Sequence, residues 1–301
     1  MKNIFLIVLL VSLGVSADVK IGGISYFDYT NADEASAFNF NRQYISFSGA
    51  ASDDVKFNVV FDVGRTNKSD EGDKHLVAFL KKAQIDYMVS RCKVSLGLIG
   101  MNAHGVQEEN WGYRFIEKSA IDKNGFTSTA DLGVGFSKVT SDLIVNLQIV
   151  NGEGYKNPQP QMDEYHKISI NIKNHQNAGI VYSTEDSDDG ITTMMSLFGI
   201  INHNSYRISG EHDKLTVGGV DETISSMSAS YYLTNDMDVF VRYDMYDPNT
   251  DVENDGENYL IAGVVFNCGS GLSISPNLRM TSYENDAESI TEYKINCQFM
   301  F

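Results

Sequence analysis

The chain has 301 residues, with 25 glycines, 16 tyrosines, 16 phenylalanines and 4 prolines. This composition suits long β-strands rather than helices. The formal net charge of −17 argues against a nucleic-acid partner, which would require a basic surface. Three cysteines are too few for a disulfide framework, so free thiols at Cys92, Cys268 and Cys297 are favoured over a single pair.

Residues 1–17 have the three parts of a secretory signal peptide. Lys2 supplies positive charge, Ile4 to Leu10 form an apolar run, and Val15-Ser16-Ala17 is a small-residue cleavage site. The apolar run is shorter than the roughly 20 residues that a membrane-spanning helix needs. The sequence therefore predicts an exported protein whose mature chain begins at Asp18.

Apolar and polar residues alternate along most of the remaining chain. In Lys167–Lys173, three isoleucines alternate with lysine, serine and asparagine, which is the pattern of a strand with one apolar face. Ile191–Ile201 is the weakest case because it is apolar on both faces. We count sixteen such segments, with fourteen or eighteen as alternatives. They are 18–30, 38–50, 54–64, 79–90, 92–100, 127–138, 141–151, 164–174, 177–184, 191–201, 204–211, 222–234, 236–246, 257–267, 271–280 and 290–301.

Short and long connections alternate between these segments. An up-and-down barrel with tight turns at one rim and larger loops at the other has this rhythm, with both termini at the tight-turn rim. The long connections are 31–37, 65–78, 101–126, 152–163, 185–190, 212–221, 247–256 and 281–289.

A soluble sandwich or a lipocalin-like barrel would give the same alternation. However, one meander of sixteen strands would enclose more space than its own side chains could fill. If the apolar face instead meets lipid, the sheet must close, because unpaired amides in hydrocarbon cost several kcal/mol each. The predicted fold is therefore all-β: a transmembrane antiparallel up-and-down barrel of about 16 strands, spanning residues 18–301.

The chain ends in ITEYKINCQFMF, with Tyr293, Ile295, Phe299 and Phe301 on one face. We expect this segment to close the barrel by pairing with the first strand, near Val19–Tyr29. A terminal strand ending in Phe resembles those of bacterial outer-membrane porins. The resemblance implies an outer-membrane location, contact with membrane lipid, recognition of Phe301 by the outer-membrane assembly machinery, and a homotrimer, although no residue pattern marks an oligomer interface.

The longest connection, Met101–Phe126, is the third long loop. In general porins with sixteen strands, which this chain resembles in the position of the loop, the third loop folds into the barrel and narrows it. The chain also resembles phosphate-selective porins, but more distantly. The alternative is a lid over the mouth, with Trp111 and Tyr113 as packing anchors. The resemblance implies a pore constriction formed by Glu108, Glu109, Arg114, Glu117, Lys118 and Asp122.

The polar faces of the strands predict the pore wall. Both signs of charge occur there, and no row of arginines favours phosphate. Acidic residues concentrate in the long loops, so we expect a mouth that modestly favours cations. The predicted wall residues are Arg42, Lys82, Asp86, Arg207, Arg242 and Arg279.

These features predict a passive channel for small hydrophilic solutes or ions, with no catalytic residue, cofactor or metal site. The loop 247–258 lacks the glycine and the final acidic residue of a calcium-binding loop. A barrel enzyme is disfavoured because none of the six histidines has a nucleophile or base at a recognisable spacing. A non-conducting adhesin or structural barrel remains the alternative, although longer or more aromatic loops would be expected of it.

Overall fold

The computed structural model describes residues 18–32, 35–65, 76–156, 166–187, 190–285 and 287–301. The predicted signal peptide and most of the predicted loops 65–78 and 152–163 lie outside the described residues. Cys92, Cys268 and Cys297 are free thiols. Among the described residues, no helix has the length and apolar character needed to cross a bilayer.

Sixteen strands and two short helices make up the described structure. The helices, α1 (Asn102–Trp111) and α2 (Ala120–Lys123), both lie between β5 and β6. The strands are β1 (Lys20–Ala32), β2 (Ala35–Ala50), β3 (Val55–Arg65), β4 (Leu76–Val89), β5 (Cys92–Gly100), β6 (Ala130–Val139), β7 (Leu143–Val150), β8 (Lys167–Asn174), β9 (Gly179–Ser187), β10 (Gly190–Asn202), β11 (Tyr206–Val217), β12 (Val220–Thr234), β13 (Met237–Asp247), β14 (Glu257–Gly269), β15 (Leu272–Tyr283) and β16 (Ile290–Met300).

Each strand pairs antiparallel with its neighbours in the chain, and β16 returns to β1 to close a barrel. The closing register runs from Ile24 opposite Met300 to Ala32 opposite Glu292. The Phe301 N–H donates to the Gly23 carbonyl at 3.0 Å, and the Gly23 N–H donates back to the Phe301 carbonyl at 2.9 Å. The predicted count of sixteen strands and the pairing of the last strand with the first are confirmed. Closure satisfies the edge amides that an open sheet would expose to lipid.

Strand β13 illustrates how the barrel distributes its side chains. Val241, Tyr243 and Met245 are 42%, 42% and 49% exposed, whereas the alternate Arg242 and Asp244 are each 2% exposed. A soluble protein would place these side chains the other way round. An apolar exterior around a polar interior is typical of barrels that span membranes.

Three connections predicted to be long are short, and the prediction was wrong there. The ladder of β1 and β2 continues to Ala32 opposite Ala35, β9 and β10 pair to Ser187 opposite Gly190, and β11 and β12 pair to Val217 opposite Val220. Near the rim, both faces of a strand meet water, so apolar alternation ends before the hydrogen-bonded ladder does. The charged pair of Lys214 and Asp221 lies in such an extension.

Candidate functional site: the third loop and the barrel lumen

The third loop (residues 101–126) enters the barrel from the end of β5. At its start, the Asn102 N–H donates to the Gln148 side chain at 2.9 Å. Further along, the Asn110 amide donates to the Asn177 carbonyl at 3.2 Å, and the Tyr113 hydroxyl donates to Asp238 at 3.2 Å. Asn177 and Asp238 lie at or beside the tight turns of the opposite rim. The loop therefore lies along the inside of the wall, and the alternative of a lid over the mouth does not describe it.

Aromatic residues at and just after the end of α1 anchor the loop to the wall formed by β11–β14. The Trp111 and Tyr113 rings pack against Phe240 of β13, with centroids 5.9 and 5.4 Å away. The guanidinium of Arg242 lies 4.9 Å from the Trp111 ring centre, and that of Arg207 lies 4.8 Å from the Tyr113 ring centre. Cation–π contacts of this kind contribute about 0.5–2 kcal/mol each, more when they are desolvated. Trp111 and Tyr113 are thus packing anchors of a loop that lies inside the barrel.

The turn after α1 requires a glycine. Gly112 has a left-handed backbone with φ of 76°, and its N–H donates to the Glu108 carbonyl at 2.8 Å. A Cβ at this position would also meet the guanidinium of Arg207, which would have to move from its place on the Tyr113 ring. Both the backbone conformation and the close contact with Arg207 therefore favour glycine.

A second apolar cluster joins the two helices to β9, β10 and β12. Val106 and Ile121 of the loop pack in one buried cluster with Met194, Phe198 and Ile224 of the wall. These wall residues face the lumen, whereas residues in alternate positions along β10 are exposed on the outside. Strand β10 is therefore apolar on both faces because one face forms the apolar exterior of the barrel and the other meets the third loop.

The polar wall beneath the loop is hydrogen-bonded to it. The Gln107 amide of α1 donates to the Ser196 hydroxyl and, at 2.8 Å, to the Asp213 carboxylate. Arg242 forms a buried pair with Asp244, with a shortest contact of 2.6 Å, and also donates to the Lys118 carbonyl. Arg207 and Arg242, predicted on the pore wall, consequently lie beneath the loop and do not line the open part of the lumen.

A cluster of ion pairs links α1 to the segment around α2. The Arg114 guanidinium lies 3.0 Å from the Glu108 carboxylate and 3.3 Å from that of Asp122. His104 Nε2 lies 3.0 Å from the same Glu108 oxygen and 3.6 Å from Asp122. Lys118 completes the cluster, 3.8 Å from Asp122. Four of the charged residues predicted in the loop, Glu108, Arg114, Lys118 and Asp122, therefore pair with one another and with His104, and these pairs hold the two helical segments together.

The protonation of this cluster follows from its pairs. Burial alone would lower the pKa of His104, but the adjacent carboxylates of Asp122 and Glu108 outweigh it and raise that pKa above its ordinary value. Burial would raise the pKa values of Glu108 and Asp122, but His104 and Arg114 hold both below their ordinary range. The cluster is thus built to carry a protonated histidine between two ionised carboxylates.

His104, Glu108 and Asp122 are also the one group of metal-ligand type found among the described residues, with ligand atoms within 4.8 Å of one another. Arg114 contacts the same carboxylate oxygens that would bind a cation. A metal ion would have to displace this guanidinium, so the cluster fits an internal ion-pair network better than a metal centre.

The far side of the loop is tied to β14–β16. Arg279 contacts the Glu117 carboxylate at 2.6 Å and donates to the Ile116 carbonyl, also at 2.6 Å. The Tyr259 hydroxyl donates to Glu117 at 3.1 Å. Burial would raise the pKa of Glu117, but the charge of Arg279 and the Lys118 N–H outweigh it and hold that pKa below its ordinary value.

A cavity of about 1020 Å³ lies between the loop segment 114–118 and the wall formed by β1–β4, β15 and β16. Of the predicted constriction residues, Arg114, Glu117 and Lys118 line it, while Glu108 and Asp122 lie in the ion-pair cluster and Glu109 is exposed on α1. Of the predicted wall residues, Arg42 and Arg279 line it. Lys82 and Asp86 lie elsewhere on β4. The charged lining comprises Asp28, Arg42, Arg114, Glu117, Lys118, Lys156, Arg279 and Lys294.

A β-bulge places a further lysine on the lumen side. Val60 is paired with Lys82 and Phe61 with Leu80, so Lys81 is an extra residue in β4. The Lys81 ammonium donates to the Tyr44 hydroxyl at 3.0 Å. Counting alternate residues could not place Lys81, because the bulge reverses the alternation there. Lys156 was also missed, since it lies in a connection and not on a strand.

No protein-family model matches the sequence, and no curated protein matches it. Solved structures match the fold with little sequence identity. A loop-deletion mutant of OmpT, an outer membrane protein of Vibrio cholerae, superposes with a TM-score of 0.68 at 10% identity, covering 95% of this chain and 99% of that one.

Two further structures superpose over nearly their whole length. An anion-selective porin from Comamonas acidovorans gives a TM-score of 0.67 at 12% identity, over 95% of this chain and 100% of that one. The outer membrane channel DcaP of Acinetobacter baumannii gives 0.63 at 9% identity, over 95% and 97%. The chain therefore has the barrel fold of outer-membrane porins and channels.

Proposed function

We propose that this protein is an outer-membrane porin, a water-filled channel through which small hydrophilic solutes or ions diffuse passively. The observation that carries this proposal is the cavity of about 1020 Å³, bordered by eight charged side chains, inside a closed barrel whose exterior is apolar. An enzyme is disfavoured because, among the described residues, the buried charges in and beneath the loop, such as Glu108, Arg114 and Arg242, are engaged in ion pairs that fix the loop.

The third loop supplies the narrowing of this channel. It is fixed to the wall on one side by the Trp111 anchor and on the other by the Glu117–Arg279 pair. The solute path therefore runs between loop residues 114–118 and the wall of β1–β4, β15 and β16. Export by a signal peptide at residues 1–17, recognition of Phe301 during assembly, and a homotrimer belong to the same proposal; the structures similar to this one include a trimer form of the Vibrio cholerae OmpT.

Reconstitution into planar lipid bilayers tests the proposal. We expect stepwise, ohmic conductance increments from the purified mature chain. Arg114→Ala should raise the single-channel conductance, because it shortens a side chain that lines the cavity. Lys214→Ala removes an equal charge at the rim, away from the cavity, and should leave conductance unchanged. A folded barrel that gives no conductance would reject the channel in favour of an adhesin or structural role.

A further inference from the structure

The lining of the cavity is more positive than the chain as a whole. Six cationic side chains and two carboxylates border it, in a protein whose net charge is −17. The acidic residues that dominate the composition lie largely in the connections. The narrow part of the lumen therefore has the opposite sign of charge from the mouth.

The carboxylates that pair with three of these cations do not border the cavity, whereas Glu117, the partner of Arg279, does. Asp62, the partner of Arg42, has a fully buried side chain, and the side chain of Asp122, which contacts Arg114 and Lys118, is 11% exposed. The cavity is bordered by Arg42, Arg114 and Lys118 but not by these two carboxylates. A solute in the passage meets the guanidinium and ammonium groups before their counter-charges.

Two lysines near the passage have no carboxylate partner among the described residues. Lys81 and Lys156 lie on the same aromatic ring, with their ammonium groups 5.8 and 6.0 Å from the centre of Tyr155. Burial and the nearby positive charges of Arg42 and Lys118 lower the pKa of Lys156, as expected where cations are crowded together. The Tyr155 hydroxyl also lies 3.4 Å from Asp62, the partner of Arg42. Around Tyr155, the three cations Arg42, Lys81 and Lys156 therefore face this one carboxylate, which leaves net positive charge there.

The opposing carboxylate on the wall is held by neutral donors. Asp28 accepts hydrogen bonds from Asn41, Thr30 and Asn39 at 2.6, 2.7 and 2.8 Å. These three donors use both of its oxygens, which reduces its capacity to bind a passing cation. Asp28 thus offsets part of the positive charge without forming a cation site.

We propose that this passage is anion-selective and favours small inorganic and organic anions over cations of similar size. The proposal rests on the channel function proposed above. A charged lining enclosed by low-dielectric walls focuses the field on the passage and enriches the ion of opposite sign there. The acidic mouth acts less strongly, because exposed charges are screened within about 8 Å at physiological salt.

The reversal potential in a KCl gradient across a planar bilayer tests the selectivity. We expect chloride to be more permeant than potassium, with the preference larger at 0.1 M than at 1 M salt, where the Debye length falls from about 10 Å to about 3 Å. A channel that prefers potassium at low salt overturns the anion assignment while leaving the porin proposal intact. Absence of any conductance overturns the porin proposal itself.

A variant pair assigns the preference to the unpaired lysines. Lys81→Gln combined with Lys156→Gln should lower the chloride-to-potassium permeability ratio at least about twofold, whereas Lys214→Gln should not change it. An unchanged ratio in the double variant overturns the role of these lysines. If the double variant does not insert, Lys156→Gln alone, at an exposed position in a connection, should lower the ratio in the same direction, and an unchanged ratio there counts equally against it.

Discussion

The two halves of the barrel interior have similar polar walls, but the third loop covers one of them and the cavity borders the other. On the side of β8–β14, the third loop covers the wall, and Arg242 is 2% exposed in its pair with Asp244. On the side of β1–β4, β15 and β16, the wall borders the cavity, and the side chain of Arg42 remains 18% exposed although it too pairs with an aspartate. A lumen-facing arginine is therefore a structural residue where the loop covers it, as at Arg242, and a pore residue where the loop leaves it open, as at Arg42.

The largest expected effect comes from breaking the covered side. Arg242→Met should destabilise the folded barrel by about 3–5 kcal/mol, because it leaves the Asp244 carboxylate buried without its ion-pair partner and with only the Ser226 hydroxyl as a donor. Unfolding in urea, followed by the fluorescence of Trp111, the single tryptophan, measures the loss directly. Arg42→Met, on the open side, should cost less, because the Arg42 side chain is 18% exposed and its removal lets water from the cavity reach the buried Asp62 carboxylate. Equal losses in the two variants would contradict the distinction between the halves.

An intermediate effect is expected from the histidine in the loop. Because the pKa of His104 is raised, the stability that the protonated imidazole contributes to the fold is complete below pH 6.5. This contribution is lost as the pH rises through the raised pKa. Because the pKa values of Glu108 and Asp122 are lowered, the stability that their ionised carboxylates contribute is complete above about pH 4.5. This contribution is lost as the pH falls through the lowered pKa values. Stability from this cluster should therefore be greatest between about pH 4.5 and 6.5.

His104→Gln checks this dependence. The variant should unfold at lower urea concentration than the unmodified protein at pH 5.5, and the difference should shrink as the pH rises to 9. His212→Gln, at an exposed position on β11, should show no such pH-dependent difference. A constant difference across this range would mean that His104 acts by packing and not by charge.

The smallest effect is expected at the mouth. Neutralising Asp251, Glu253 and Asp255 to their amides should change the permeability ratio only slightly, and not at all at 1 M salt, because these side chains lie in the connection between β13 and β14 and are screened. The KCl reversal potential before and after the change gives the comparison. A shift larger than that of the lysine variants would move the selectivity filter from the cavity to the mouth.

The barrel could be predicted from the sequence because its cause is local. The alternation of side chains in β13 and β16 reflects an apolar exterior on one face and a polar lumen on the other, and it can be read from neighbouring residues alone. The fold of the third loop could not be derived in this way, since it depends on contacts with strands far along the chain. A signal was nevertheless present: Phe240 on a polar face and the two apolar faces of Ile191–Ile201 mark where the loop packs.

The open side of the lumen was less predictable. Arg42, Arg114, Glu117, Lys118 and Arg279 were named from the sequence and border the cavity. Lys81 and Lys156 were not, because a bulge and a connection escape the rule of alternate residues. The expectation of a modest cation preference came from the acidic residues concentrated in the long loops, whereas the excess of cations around the cavity depends on the fold of the third loop and could not be read from the sequence.

The apolar inner surface of β10 and β12 has a consequence for engineering. Without the third loop, Met194, Phe198 and Ile224 would form an exposed apolar patch inside a water-filled barrel. Such a patch favours collapse of the barrel or binding of non-native apolar molecules. Transplanting the loop alone into another barrel would likewise leave Val106 and Ile121 without apolar packing partners. Redesign of this pore must therefore exchange the third loop together with β9, β10 and β12, the strands on which it packs.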